Sequence, residues 1–128
     1  MTRYIAERLL IIPLVNMFKK ENRLRKKNDF DRVFKKGKSS YDKILGIKVL
    51  FNEQEENRYG VIVSTKISKK AVKRNRIKRQ IREAVKALAP DLKKGLDLVV
   101  IALPGASDKD YWELKTSLEN HLQKLKLL

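Results

Sequence analysis

The residues of this chain whose types and spacing could do chemistry are mostly cations. Residues 70 to 86 read KAVKRNRIKRQIREAVK, with eight basic residues and a single acid, Glu83. Ion pairs between residues three or four apart on a helix cannot neutralise such a segment. Lys and Arg at helical spacing can instead contact several phosphates at once, and Arg donates paired hydrogen bonds to a phosphate group. The segment therefore predicts a surface that binds nucleic acid rather than a merely solvated basic face.

A second basic cluster precedes two aromatic residues. Residues 19 to 27 read KKENRLRKK, and Phe30 and Phe34 follow. Aromatic rings beside cations can stack on unpaired bases, as they do in proteins that bind single strands. The i, i+4 spacing of the two rings also suits the hydrophobic core, and on spacing alone the core is the favoured interpretation. A groove that leaves the rings partly exposed would satisfy both.

The other candidates for chemistry suggest structural roles. The chain has no cysteine, which excludes disulfides and thiolate zinc sites and fits a reducing cytosol, and its one histidine excludes a site built from several imidazoles. The acid pairs Asp29/Asp31 and Asp108/Asp110 lie at predicted helix starts, where carboxylates are favoured by the helix dipole. We therefore expect no metal site and no catalytic residue in the protein, and we expect His121 to be packed in the core.

The overall composition describes a folded and strongly basic domain. The 128 residues include 31 Lys and Arg against 15 Asp and Glu, giving a formal charge of +16, and 42% of the residues are hydrophobic. A chain of this length suits one domain with one core. Self-repulsion at this charge is relieved when a polyanion shares the field. Nucleic acid is the first candidate for that polyanion and an anionic membrane surface is the second.

Three helices must position these side chains. The first is predicted at residues 29 to 36, with Asn28 as its N-cap and Gly37 as its stop. The basic segment forms the second, ended by the Ala-Pro pair at 89 and 90, and the third starts with Ser107 as N-cap. On the basic helix, the residues that fall on one apolar stripe and should face the core are Ile77, Ile81, Ala84, Val85 and Leu88.

Strands fill the intervals between these helices. Residues 43 to 52 and 58 to 66 are predicted to pair as an antiparallel hairpin, preceded by a short strand within residues 37 to 43. Residues 96 to 104 are almost continuously apolar, which is typical of a buried central strand. The element order is therefore α-β-β-(β)-α-β-α.

The N-terminal residues need a separate interpretation. The apolar run from Leu9 to Val15 contains Pro13 and is far too short to span a bilayer, and no small-residue cleavage site follows it. We interpret residues 1 to 17 as an extension of unassigned role, or as the product of a start upstream of an initiator at Met17. Residues 18 to 128 form the single domain.

Two motifs at their observed spacing carry a resemblance to a known family. AVKRNRIKRQIREA, residues 71 to 84, resembles the Arg-Asn-Arg helix of the bacterial ribonuclease P protein component. The upstream KKENRLRKKNDFDRVFKKGKS is similar to that family's N-terminal segment, with its Asn-Arg-Leu and Phe-x-x-x-Phe patterns. DLVVIALP and the last helix follow in the expected order, so the resemblance covers about residues 18 to 126.

The resemblance implies a fold and a function. The fold would be α+β, an α/β sandwich with a mainly antiparallel sheet and a left-handed βαβ crossover similar to one in ribosomal proteins. The protein would be the small partner of a catalytic RNA that removes the 5′ leader of precursor transfer RNA. Mg²⁺ in the RNA would support the chemistry, and the protein itself would hold no cofactor. The implied partners are the catalytic RNA and precursor transfer RNA, in the cytoplasm, without a membrane or an obligatory protein partner.

The resemblance also implies site residues by position. Phe30 and Phe34 match the aromatic positions of a cleft for the single-stranded leader, and Thr65 departs from a position where many relatives carry lysine. The positions that would contact RNA are Arg23, Arg25, Lys26, Lys66, Arg74, Asn75, Arg76, Lys78, Arg79 and Arg82.

Three other functions remain open on the residues alone. A ribosomal or general structural RNA-binding protein would carry the same basic face but would not stimulate a ribonuclease P RNA. An autonomous nuclease would cleave RNA with magnesium after removal of all bound RNA. A protein of membrane surfaces would bind anionic vesicles in competition with RNA.

Overall fold

A computed structural model describes residues 22 to 128, so the N-terminal extension and the start of the basic cluster at 19 to 27 lie outside the described residues. The element order predicted from the sequence is confirmed, including the short leading strand. The elements are α1 (Lys27–Lys36), β1 (Lys38–Tyr41), β2 (Leu45–Phe51), β3 (Arg58–Ile62), α2 (Ala71–Leu88), β4 (Leu96–Ala102) and α3 (Tyr111–Lys124). No helix within residues 22 to 128 combines the length and apolar character needed to cross a bilayer.

The four strands form one sheet in the order β1-β2-β4-β3. β2 pairs antiparallel with both β1 and β4, whereas β3 pairs parallel with β4. The sheet is therefore mainly antiparallel, and the β3-α2-β4 segment is its βαβ unit. The prediction of a buried central strand is confirmed, because β4 lies between two neighbours and Leu96, Leu98 and Val99 are fully buried.

The predicted hairpin between the second and third strands is wrong, because β4 lies between them. The acidic connection between β2 and β3 passes over the end of β4 and bonds to it. The Asn52 amide N–H donates to the Gly95 carbonyl at 2.8 Å, and Asn57 Oδ1 accepts from the Leu96 N–H at 2.8 Å. β4 carries apolar residues on both faces. It therefore takes a central position, where the elements packed on the sheet cover both of its faces.

Helices cover both faces of the sheet. α2 and α3 bury the larger cluster on one face, and the five residues of the predicted apolar stripe of α2 are all buried there. α1 covers the other face through Val33, which is fully buried and packs with Leu24 and Val99. The sheet therefore separates α1 from α3.

The starts of α1 and α3 differ from the predicted caps. α1 begins at Lys27, so Asn28 lies inside the helix and no side chain caps the N-terminus. A 3₁₀ turn from Pro104 to Ala106 precedes Ser107, and α3 starts only at Tyr111. The capping box there pairs the N-cap Asp110 with Glu113. The true N-cap therefore lies three residues after the predicted one, Ser107.

His121 joins α3 to the β1–β2 region, and the prediction of a packed histidine is confirmed. Its Nδ1 lies 2.7 Å from Ser40 Oγ, and its Nε2 lies 3.1 Å from the Leu45 carbonyl oxygen and 3.2 Å from Asp42 Oδ2. Two acceptors face Nε2, which therefore carries a proton. Ser40 is buried, so this serine, histidine and aspartate hold elements together rather than face a substrate. Partial burial opposes ionisation of Asp42, but hydrogen bonds from Leu45 N–H and Ser117 Oγ outweigh it and lower its pKa.

Candidate nucleic-acid interface

Both basic clusters meet in one recess beside β3. We call it the Phe30 recess; its volume is about 290 Å³. Its lining is made of four cations and a group of apolar and small residues: Arg23, Arg25, Lys78, Arg82, Leu24, Phe30, Tyr59, Gly60 and Val61. No acid is among the described residues that line it. Such a recess can bind an anion that also carries a flat apolar group.

Phe30 reaches the recess because Gly60 has no side chain. A Cβ at Gly60 would lie 2.7 Å from two carbons of the Phe30 ring. Val33 anchors α1 one turn further on, so the ring lies over β3 at the floor of the recess. The ring remains partly exposed, which reconciles the core and stacking interpretations of Phe30.

The segment before α1 brings its arginines to the same place. Arg23 forms a parallel bridge with Tyr59, and the Leu24 N–H donates to the Tyr59 carbonyl at 2.8 Å. The segment thus lies along the otherwise free edge of β3. Arg23 and Arg25 are exposed there, on the side of the recess opposite α2.

A clasp of charged residues fixes α1 against the sheet. Arg58 of β3 donates to both carboxylate oxygens of Asp97, at 2.9 Å and 2.6 Å, and to Asp29 of α1 at 3.3 Å. Asp97 is almost fully buried, and Asn52 donates to it as well. The hydrogen bond with Asp97 is the main cause that raises the pKa of Arg58. This clasp holds the helix that carries Phe30.

Cations crowd one another in the recess. Burial, and then the charge of Arg82, lower the pKa of Lys78. Burial, and then the charge of Arg23, lower the pKa of Arg82. These groups are partly removed from water and repel each other, and no ion pair within the described residues compensates them. A bound phosphate would supply the missing charge.

The basic residues of α2 do not all face this recess. Arg74, Lys78 and Arg82 follow one another at intervals of four and form one ridge, and Arg74 donates to the Ser68 carbonyl at 2.9 Å. Asn75 and Arg79 are exposed on the neighbouring ridge. Arg76, two residues after Arg74, points about 200° around the helix from it. The Arg-Asn-Arg triplet therefore surrounds the start of α2 instead of forming a plane.

The remaining predicted positions do not line the recess. Lys66 is exposed in the turn before α2, and Lys26 is exposed at the start of α1. Phe34 lies one turn beyond Phe30 and is 36% exposed. Its ring is covered by the Lys48 ammonium, 5.8 Å from the ring centroid.

Sequence reasoning missed several residues of this surface. Tyr59, Gly60 and Lys48 take part in it, and each lies in a strand whose pairing was not known. Lys48 had a signal, since a cation interrupts an otherwise apolar strand. Gly60 had none, because the close approach of Phe30 depends on tertiary packing. Among residues 22 to 128, no group of three or more potential metal ligands is found.

Comparisons with known proteins relate the chain to one family. A family model described as Ribonuclease P matches residues 18–126. The chain is 42% identical over 113 residues to the ribonuclease P protein component of a Pseudanabaena species, covering 88% of this chain and 97% of that protein. It is 43% identical over 106 residues to the protein of that name from Clostridium botulinum, covering 82% and 95%. A solved structure of the Staphylococcus aureus RNase P protein matches with a TM-score of 0.76 at 36% identity, covering 83% and 96%.

Proposed function

The chain belongs to the ribonuclease P protein family, and on this basis we propose how it acts as the protein subunit in the 5′ maturation of transfer RNA. Family membership favours this role over that of a ribosomal or general RNA-binding protein. The observation that carries the mechanism is the Phe30 recess, in which four cations surround one partly exposed aromatic ring. We further propose the cytoplasm as its location, which the absence of cysteine fits.

The recess has the chemistry to hold the single-stranded leader of the precursor. Arg23, Arg25, Lys78 and Arg82 would neutralise its phosphates, and a base would stack on Phe30. Binding is favoured because the phosphates relieve the repulsion between Lys78 and Arg82. The substrate would thus be recognised by its backbone and by the flat face of a base, which tolerates any leader sequence.

The exposed ridges of α2 would contact the catalytic RNA. Asn75 and Arg79 lie outside the recess, and Arg76 faces away from it, so they remain available to a second RNA. The first turn of α2 contains no acid, so its positive dipole end adds to these cations. One helix would therefore bind the catalytic RNA on one side and the substrate on the other.

Bond cleavage would be carried out by the RNA with its own Mg²⁺. The protein would supply charge neutralisation and positioning, which lets two polyanions approach each other at low magnesium concentration. The groups that line the Phe30 recess are cations and apolar side chains, which suit binding of phosphates rather than proton transfer.

Reconstitution with a bacterial ribonuclease P RNA tests the role. Leader removal from precursor transfer RNA is measured at low magnesium with and without the protein. We expect the protein to increase kcat/KM, and to cleave nothing when the RNA is omitted. Cleavage by the protein alone would refute the assignment of the chemistry to the RNA.

The variant Phe30→Ala tests the recess itself. We expect the affinity for leader-bearing precursor to fall at least about 5-fold, since one stacked base is lost, while the affinity for mature transfer RNA stays the same. Trp112→Ala is the matched control, because Trp112 is an exposed aromatic residue on α3. Equal losses for precursor and mature transfer RNA would contradict the proposal.

A further inference from the structure

A pocket with an apolar wall lies where the end of α2 meets the acidic connection between β2 and β3. We call it the Pro90 pocket; its volume is about 470 Å³. Tyr59, Ala89, Pro90 and Leu92 form the apolar part of its lining. Pockets of about 300–1,000 Å³ can bury a drug-sized group. The Pro90 pocket therefore has room for several side chains of a peptide segment.

The charge of this pocket differs from that of the Phe30 recess. Glu55 and Glu56 line it together with Lys86 and Lys94, so its charged side chains balance one another. The Phe30 recess has four cations in its described lining and no acid. Because carboxylates repel phosphates, the Pro90 pocket suits an apolar occupant without charge rather than RNA.

The start of the described chain leads to this pocket. Arg23 bridges Tyr59 in the parallel sense, so the residues before Arg23 run toward the start of β3 and away from the Phe30 recess. Asn22 continues in this direction, because its side-chain amide donates to the Asn57 carbonyl at 2.7 Å and to Glu56 Oε2 at 3.0 Å. Asn22 also lines the pocket. The chain that precedes Asn22 therefore joins the described structure at the Pro90 pocket.

The preceding sequence contains a segment of matching chemistry. Residues 9 to 18 read LLIIPLVNMF and carry no charged side chain, in a chain of which 36% is charged. The other uncharged stretch of this length, residues 98 to 107, contains most of β4, the buried central strand. Burial of apolar side chains is favourable because it removes them from water. We therefore expect residues 9 to 18 to be covered as well.

The segment is long enough to reach the pocket. Phe18 lies four residues before Asn22, and four extended residues span up to about 14 Å. Leu9 lies thirteen residues before Asn22, a span of up to about 45 Å, so the chain can also turn within the pocket. The residues at 19 and 20 are lysines, and the two glutamates of the pocket form no ion pair within residues 22 to 128. These lysines and glutamates can pair.

We propose that residues 9 to 18 bind in the Pro90 pocket of the same chain. Their apolar side chains cover Tyr59, Ala89, Pro90 and Leu92, and the lysines at 19 and 20 pair with the glutamates of the connection between β2 and β3. The bound segment lies toward the start of β3, so the Phe30 recess stays open to RNA. This inference goes beyond the proposed function and does not depend on it.

A polar variant of the segment tests whether it is bound. Leu10→Ser with Ile12→Ser and Leu14→Ser keeps the length and the charge of the chain but removes much of the apolar surface of the segment. We expect the melting temperature of the full chain to fall by at least about 4 °C, because the burial of large apolar side chains is lost. Differential scanning calorimetry of the free protein at constant ionic strength measures the shift.

A change in the pocket provides the matched control. Ala89→Gln places a longer polar side chain in the lining without changing its charge. If the segment binds there, the three serine substitutions should lower the melting temperature no further in this background. An equal fall in both backgrounds would place the segment elsewhere, and no fall in the original background would show that it is not bound. Either result overturns the inference.

The absence of native cysteine allows the site to be mapped directly. Leu14→Cys with Pro90→Cys places one thiol in the segment and one at an exposed position of the pocket. Leu14→Cys with Trp112→Cys is the control pair, because Trp112 is exposed on α3, which begins beyond the C-terminal end of β4. Under mild oxidation we expect the first pair to form an intramolecular disulfide at least about 10-fold faster, since binding raises the effective concentration of one thiol at the other.

Three further results would overturn the inference. Equal rates for the two cysteine pairs would show that the segment does not bind at the pocket. Disulfide-linked dimers whose share rises with protein concentration would assign the pocket to a second copy of the chain. The triple serine variant is also mixed with vesicles of phosphatidylcholine and phosphatidylglycerol. Weaker vesicle binding than that of the original chain, at an unchanged melting temperature, would assign the segment to a membrane surface.

Discussion

At the scale of single residues, Lys78 and Arg82 show how repulsion between neighbouring cations can prepare a site for an anion. Each has a pKa lowered by burial and by a neighbouring cation, so its charge is less stable in the free protein than in water. A bound phosphate would reverse this, because it would replace repulsion by attraction at a site that is already partly dehydrated. Part of the free energy of binding would then come from relief of the repulsion between the two cations.

Gly60 is the residue whose replacement should reveal how Phe30 is positioned. Alanine inside a strand ordinarily stabilises it by about 0.5–1 kcal/mol relative to glycine. At Gly60 the added Cβ would displace the Phe30 ring, so we expect Gly60→Ala to weaken leader binding at least about 5-fold. Binding of precursor and of mature transfer RNA to the holoenzyme measures the effect.

A double-mutant cycle controls this prediction. Once Phe30 is already alanine, no ring remains for the Cβ to displace, so Gly60→Ala should cause no further loss of affinity. A further loss in that background would show that Gly60 acts on the leader by another route.

Local patterns were sufficient to predict some of these residues and not others. The apolar stripe of α2 was correct because helical periodicity depends on the helix alone. The contact between Gly60 and Phe30, and the convergence of Arg23 with Arg82, join residues far apart in the chain. No spacing rule relates residues so far apart in the chain. The sequence therefore predicted the types of residue that line the recess, but not which of them meet there.

At the scale of elements, the clasp around Arg58 decides where α1 lies. It links β3 to β4 through Asp97 and to α1 through Asp29. Buried ion pairs add little net stability, but removal of one partner leaves an uncompensated charge. The clasp therefore fixes the position of α1 on the sheet more than it stabilises the fold.

Arg58→Met should destabilise the protein strongly. Asp97 is 1% exposed and would lose its main ion-pair partner. We expect a loss of about 3 kcal/mol in the free energy of unfolding, measured by urea titration. The double variant Arg58→Met with Asp97→Leu should recover most of it, because no buried charge remains. A double variant as unstable as the single one would contradict this account.

The elements also show where prediction from sequence fails. The strands themselves were recognised, because their composition is local, but their pairing was not. The hairpin prediction assumed that neighbours in sequence are neighbours in the sheet, whereas β4 enters between β2 and β3. The helix starts were wrong by a few residues for a related reason, since Asn28 and Ser107 have suitable side chains but do not adopt the capping positions.

At the scale of the whole molecule, the net charge of +16 links stability to anions. Self-repulsion destabilises the compact state, and any anion that binds only the folded chain stabilises it. The Phe30 recess concentrates part of this charge at a site that exists only after folding. The free protein should therefore respond to phosphate compounds more strongly than to chloride.

Millimolar pyrophosphate should raise the melting temperature at constant ionic strength. A concentration ten times the Kd adds about 1.4 kcal/mol, which corresponds to about 5 °C for a domain of this size. Differential scanning calorimetry measures the shift. The variant Arg23→Gln with Arg82→Gln should show a smaller gain, and an unchanged gain would place the bound anion outside the Phe30 recess.

The position of β4 has a consequence for synthesis of the protein on the ribosome. β4 joins β2 to β3, yet it is the last strand to be translated, and α2 is complete before it emerges. A nascent chain that ends before Leu96 exposes the basic helix without the strand that orders the sheet beneath it. Formation of the Phe30 recess therefore waits for β4, and a chain truncated before Leu96 would reach the catalytic RNA without an assembled recess.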